Sequence, residues 1–303
     1  MSKPTFYIHI GLDGSEGPEW FRSVSTEIEN LGFRGVFLAD SLGSKGEPLI
    51  LLTGFALSSS KLSVGTCVYV LPLRNPLLVA KQVSSIHRLS GGRFIFGVGV
   101  GWRQWEFDAV GVEYAMRGRR TDEMLEILRL AWKGDPVVFE GEHFRFEAVD
   151  VGAGVEGAPP PIWVGGNSPS AIRRAARYGD AWIPTDFTPQ EYEASIPKLR
   201  AQLNRLGRAP SSLEICSHLA LIVDNDKSRA HELAAKIASD FGEKPEEFEG
   251  YALVGDPSSI AERIAQYTAL GVRHHVLSTF LTESKNTLLH TLRLFSEEVM
   301  QSV

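Results

Sequence analysis

Two glycines followed by Asn-Ser-Pro, in Trp163-Val-Gly-Gly-Asn-Ser-Pro-Ser170, form the sharpest chemical signature in the chain. Trp163 and Val164 read as a short strand, Ser168 as a helix N-cap and Pro169 as the first helical residue. Backbone N–H groups at such a helix start favour an anion, and glycines let a phosphate come close. Capping alone needs no glycine pair. Gly165, Gly166, Asn167 and Ser168 are therefore read as a phosphate site, with Arg173 and Arg174 one turn further on to add positive charge. A second run, Gly97, Gly99 and Gly101, alternates along an apolar strand and strips one of its faces of side chains. That face either admits a ligand or relieves crowding between strands. A phosphorylated ring cofactor lying across both glycine runs would satisfy the two together.

Groups able to move protons fall at the ends of the predicted strands. They are His9 and Asp13, Asp40 and Ser41, Cys67 and Tyr69, Arg103 and Glu106, then Asp186 and Thr279. Gly101 and Trp102 share the rim with Arg103. Asp40 is either an N-cap of the segment after it or a cofactor contact. Glycosidase-type acid/base chemistry would need a second carboxylate opposite Asp40, and the sequence specifies none. Alternation along the last strand turns one of His274 and His275 inward and the other outward, and an inward histidine is more often a satisfied core residue than a ligand. No His-x-His spacing supports a metal.

The elements that must position these groups alternate. Strands are predicted over 6–12, 35–40, 62–70, 94–100, 162–164, 181–183, 213–223 and 273–279. Helices are predicted over 17–31, 48–58, 76–89, 118–132, 168–178, 189–206, 227–241, 258–270 and 284–299. A hairpin over 137–146 breaks the rhythm, 101–117 reads as a long loop, and 242–257 as polar and irregular. This order predicts one (β/α)8 TIM barrel spanning residues 1–303 as a single domain, with an inserted hairpin and extended loops. A doubly wound sheet is disfavoured because no Gly-x-Gly-x-x-Gly follows the first strand. In such a barrel the active site lies at the carboxyl ends of the strands.

Composition narrows the partners. The net charge of −6 comes with no basic run, so nucleic acid or an anionic membrane is not expected as partner. Cys67 and Cys216 each sit in an apolar run and read as buried thiols of a reducing compartment. No apolar run is long enough to span a bilayer, and a cytoplasmic location is expected.

Several segments together resemble the bacterial luciferase-like monooxygenase superfamily. They are Leu71-Pro-Leu-Arg-Asn-Pro76, Leu89-Ser-Gly-Gly-Arg93, Gly97-Val-Gly-Val-Gly-Trp102, Arg117-Gly-Arg-Arg-Thr-Asp-Glu123, Pro161-Ile-Trp-Val-Gly-Gly-Asn167 and Arg174-Ala-Ala-Arg-Tyr-Gly-Asp-Ala-Trp-Ile-Pro184. The wording is closest to the branch that uses the deazaflavin coenzyme F420. The resemblance implies a barrel holding a flavin or deazaflavin ring at its carboxyl face, with Asp40 touching the ring system. It also implies a non-proline cis peptide at Cys67–Val68 behind the ring, and phosphate contacts at Gly165–Ser168. Members of the F420 branch often carry Asp-His after the second strand, the histidine serving as base. Here the pair is Asp40-Ser41, and an unactivated hydroxyl is no base near neutral pH; His9 on the neighbouring strand is the candidate replacement. Three readings follow: an F420-dependent oxidoreductase acting on a small organic substrate; an FMNH2/O2-dependent monooxygenase served by a separate reductase; or a cofactor-binding protein without turnover. A homodimer is expected by analogy alone.

Overall fold

The computed structural model describes residues 3–12, 14–279 and 285–303; Asp13 and the loop at Phe280 lie outside the described residues. Short runs of β-branched and aromatic residues form the strands β1 (Thr5–His9), β2 (Gly35–Leu38), β3 (Ser63–Thr66), β4 (Tyr69–Val70) and β5 (Phe94–Gly99). Further along come β6 (Val137–Glu140), β7 (Arg145–Val149), β8 (Ile162–Gly165), β9 (Ala181–Ile183), β10 (Glu214–Val223), β11 (Leu253–Gly255) and β12 (His274–Ser278). The ring closes in the order β1, β2, β3, β5, β8, β9, β10, β12, all parallel, with β4 continuing β3 alongside β5. This is the predicted (β/α)8 barrel. β11 lies outside the ring against β10, and β6 and β7 pair antiparallel as the predicted hairpin. Its tip is tied down by Glu123, whose carboxylate accepts N–H bonds from Glu142, His143 and Phe144.

The helices are α1 (Pro18–Asn30), α2 (Pro48–Ser58), α3 (Pro76–Leu89), α4 (Gln104–Val110), α5 (Arg117–Trp132), α6 (Pro169–Tyr178), α7 (Pro189–Arg205), α8 (Lys227–Asp240), α9 (Pro245–Tyr251), α10 (Pro257–Ala269) and α11 (Lys285–Leu294). No described helix is long and apolar enough to cross a membrane. Five helices open on a proline behind a capping side chain: Glu47, Asn75, Ser168, Thr188 and Asp256. A proline at the first helical position has no N–H to satisfy, while the cap satisfies a neighbour. Two expectations need correction. The loop 101–117 contains α4, and the segment 242–257 contains α9 and the strand β11. Both helices have only seven residues, too few for the apolar period to register.

Strand alternation sorts the core into two layers. Phe6, Ile8, Val36, Val64 and Phe96 face outward into the helix layer. Tyr7, Phe37, Cys67, Ile95, Trp163, Ile183 and Val276 fill the barrel interior. Phe37 lies 5.3 Å from both Tyr7 and Trp163, so the barrel has a solid aromatic floor and its carboxyl end is left for chemistry. His274 turns inward beside Tyr7, whose hydroxyl is 3.3 Å away. His275 turns outward, buried against Phe6 and bonded to Ser217. Both histidines belong to the core.

Candidate functional site

Between Thr66 and Tyr69 the third barrel strand is interrupted, and the Cys67–Val68 peptide bond is cis, at the position the resemblance implied. Cys67 points into the interior, where burial pushes its thiol well above the ordinary range, so it is no nucleophile. Val68 is half-buried. The glycine runs explain why this segment fits. A Cβ on Gly97 would stand 1.8 Å from Thr66 O, and one on Gly99 2.5 Å from Val68 Cγ2. One on Gly101 would stand 2.6 Å from Val70 Cγ1, and one on Gly165 2.7 Å from Val68 Cγ1. The alternating glycines thus form a trough that receives Thr66, Val68 and Val70. Relief of crowding accounts for Gly97, Gly99 and also Gly101, whose rim position the sequence had linked to a ligand. Gly165→Ala should lose about 1–3 kcal/mol by overpacking. Adding Val68→Ala should restore most of it in urea denaturation; a double variant no better than the single one would refute the trough.

The loop after β8 is open. Gly166 has φ +113, and Asn167, Ser168 and Ser170 are exposed. Ser168 Oγ accepts the Ala171 N–H, so capping is real. Asn167 is occupied too: its amide bonds both the N–H and the carbonyl of Thr185, and clips the loop to the end of β9. Its side chain therefore shapes the loop. Arg173 reaches only Ser170 and stays exposed. Arg174 differs from expectation, being buried and tied to Asp122 and the Gly118 carbonyl of α5, so its charge holds two helices together.

Asp40, just past β2, is also held. Its Oδ2 accepts from Val70 N at 2.9 Å and Arg74 Nη1 at 2.5 Å, and its Oδ1 accepts from Arg74 Nη2 at 2.9 Å. The carboxylate side chain is 1 % exposed. A forked guanidinium on a buried carboxylate fixes geometry, and here it anchors the backbone that follows the cis bond. Ser41 donates to Glu106 Oε1 at 2.6 Å, and the Leu42 N–H reaches the same oxygen at 3.0 Å. Glu106 is itself buried, so α4 is fastened to the segment after β2 by a carboxylate–hydroxyl contact. Arg103 touches Ser41 Oγ at 3.3 Å and lies over the Trp102 ring.

His9 sits at the end of β1 with partial solvent access. Its Nδ1 lies 2.9 Å from Ser278 Oγ and 3.1 Å from His218 Nε2. Burial pulls His9 down to about 4, and burial followed by His9 pulls His218 down to about 3, so both rings are neutral at pH 7. His218 Nδ1 and Thr279 Oγ1 are buried without a hydrogen-bond partner. Nearby, Asp186 adopts φ +55 and donates its N–H to the His218 carbonyl. Its carboxyl reaches solvent, yet the surrounding protein, and then Glu243, raise it to about 7.

With this geometry the comparisons agree. A profile of luciferase-like monooxygenases matches residues 9–251. The chain belongs to that family. Among curated members it is 23% identical over 235 residues to 5,10-methylenetetrahydromethanopterin reductase of Methanolobus tindarius, covering 78% of this chain and 68% of that one. It is 30% identical over 221 residues to the phthiodiolone/phenolphthiodiolone dimycocerosates ketoreductase of Mycobacterium tuberculosis, covering 71% of this chain and 57% of the ketoreductase. It therefore spans little more than half the ketoreductase's length. Solved structures of like fold include an F420-dependent secondary alcohol dehydrogenase with an F420–acetone adduct, at TM-score 0.86, 18% identity and full coverage of both chains. Another is the FMN-bound oxygenating constituent of 3,6-diketocamphane monooxygenase from Pseudomonas putida, at TM-score 0.78 and 17% identity, over 100% of this chain and 99% of that one. The family's named members are oxidoreductases, and both cofactors occur among the proteins of this fold.

Within this family member, the sequence brought forward His9, Asp40, Ser41 and Glu106 but missed His218 and Ser278. Their signal was present. Cys216 and His218 alternate inward on β10, and Ser278 ends the strand that flanks β1.

Proposed function

We propose that the chain is an oxidoreductase that uses coenzyme F420 for hydride transfer to or from a small organic substrate. One observation carries the choice of F420 over FMN. The start of α6 is solvent-open from Asn167 to Ser170, with Arg173 exposed beyond it. A phosphodiester can lie on the Gly166–Ser168 backbone there and continue outward as an acidic tail, whereas FMN ends at its phosphate. The residues also fit a ring. Val68 stands partly exposed on the glycine trough, and the buried, partnerless polar atoms of His218 on β10 and Thr279 just past β12 belong to strands on the other side of the ring.

When bound, F420 supplies or accepts the hydride at its deazaflavin ring. The protein's own share is positioning and proton handling. Gly165, Gly166, Asn167 and Ser168 shape the phosphate seat; Cys67 and Val68 form the wall behind the ring. Gly101 makes room for Val70 and Phe107 at the rim, and Trp102 borders the mouth. Asp40, through Arg74 and the Val70 N–H, fixes the backbone after the cis bond. His9, neutral at pH 7 and partly exposed at the end of β1, is the group assigned to the substrate proton, and Ser278 and His218 orient its ring. This assigns to His9 the proton role that Ser41 cannot fill.

Gly166→Val tests the phosphate seat. A β-branched residue at φ +113 is strained, and its Cβ would stand 3.0 Å from Ala171 Cβ. F420 affinity should fall at least tenfold while circular dichroism stays native. Unchanged affinity would remove the seat from this loop.

A further inference from the structure

Between α5 and α6, on the outer helix layer, lies a cavity of about 530 Å³ lined by four arginines, Arg119, Arg173, Arg174 and Arg177, and by one carboxylate, Asp122. Guanidinium groups that converge on one cavity repel each other, and the chain as a whole has a net charge of −6. The positive excess is therefore local to this groove. Asp122 does not remove it. Its carboxylate is taken by Arg174 Nε at 2.6 Å, while Arg174 Nη2 donates to the Gly118 carbonyl at 3.0 Å. Gly118 lets the guanidinium come this close, since a Cβ there would stand 3.3 Å from Nη2. The Arg174 side chain is 7% exposed, yet its Nη1 has no hydrogen-bond partner among the described residues. A guanidinium nitrogen left without an acceptor in so buried a side chain needs a reason.

The other three arginines are loosely held. Arg173 donates only to the Ser170 hydroxyl. Arg119 lies 3.4 Å from Glu142 and Arg177 3.0 Å from Glu126, and exposed pairs of this kind contribute little and are readily exchanged. Ser170, Arg173 and Arg177 form one row along α6 at helical spacing. At about 1.5 Å per residue the row is roughly 10 Å long. A single phosphate is too short to engage all of it; a chain bearing several carboxylates is not.

We propose that this groove binds an elongated polycarboxylate, with Arg174 Nη1 as its buried anchor and Arg119, Arg173 and Arg177 as its exposed contacts. The planar fork of a guanidinium matches a carboxylate, which favours this occupant over a metal-bound or neutral one. The groove does not depend on the F420 reading, since its residues lie on the helix layer outside the barrel. The same chemistry has two sources: a free oligocarboxylate, or an acidic tail leaving the Gly166–Ser168 loop, which ends just before Ser170.

The test is calorimetric titration of the full chain with γ-linked triglutamate and with glutamate, at fixed ionic strength. Triglutamate is expected to bind about tenfold tighter, because linked carboxylates engage the row as one ligand. Arg119→Gln/Arg177→Gln should weaken triglutamate about tenfold through the loss of two charge-assisted contacts. Those side chains are 70% and 61% exposed, so the fold is not at risk, and circular dichroism checks it. Equal affinity for the two compounds, no binding of either, or an unchanged affinity in the double variant overturns the proposal. Competition separates the two sources. Displacement of triglutamate by F420 carrying its glutamates, but not by F420 trimmed of them, identifies the tail as occupant; no displacement by either identifies a free polycarboxylate. A chain that takes triglutamate but no F420 would leave the groove standing and sink the cofactor reading instead.

Discussion

Asp40→Ala is expected to cost about 3–5 kcal/mol of stability, the range for removing one partner of a buried ion pair. The loss has two parts. Arg74, whose side chain is only 23% exposed, keeps its charge without the carboxylate that held both of its nitrogens. The Val70 N–H also loses its acceptor. Replacing both residues, in Asp40→Ala/Arg74→Met, should recover a large part of the loss, because no unpaired charge then stays buried. Urea denaturation of the two variants measures this directly. If Asp40 instead acted as a proton carrier free of Arg74, the single change would leave stability nearly untouched and the double variant would be the worse of the two.

Acid should unfold the protein through its buried histidines. Burial lowers His275 and His218 to about 3 from an ordinary value of 6.5, so the unfolded chain binds more protons than the folded one between those values. Their stabilising contribution is complete above pH 6.5 and is lost as pH falls toward 3, at up to about 1.4 kcal/mol per pH unit for each group. His275 is the cleaner case, being fully buried with Ser217 on its Nδ1 and Phe6 stacked on its ring. Between pH 7 and pH 5 it should contribute a loss of about 2 kcal/mol. His275→Gln removes the titration, and its stability should vary less steeply with pH by that amount. An identical pH slope in the two proteins would show that His275 does not titrate on unfolding.

The fold was legible because its punctuation is local. Proline after a capping residue marks five helix starts, and β-rich runs bounded by glycine mark the ring. What could not be read along the chain was pairing across it. Gly97, Gly99 and Gly101 read equally as a ligand face or as relief of crowding; only the opposing strand shows that Thr66, Val68 and Val70 occupy the space. Asp40 read equally as a cap or a cofactor contact, because Arg74 lies 34 residues away. The His9–His218 contact joins residues 209 apart, so no spacing rule reaches it. Arg174 looked like a phosphate ligand from its place one turn into α6, yet Asp122 on α5 takes its charge. The Cys67–Val68 cis bond is the reverse case. No propensity announces it, and the expectation came from resemblance to the family.

The mouth is expected to take F420 in preference to FMN. Titration of the purified chain with each cofactor separately, followed by intrinsic tryptophan fluorescence, tests it most directly, since Trp102, Trp105 and Trp163 lie at the rim and floor of the site. Saturable quenching by F420 at micromolar concentration is expected, with far weaker quenching by FMN. Micromolar binding of FMN with none of F420 would contradict it.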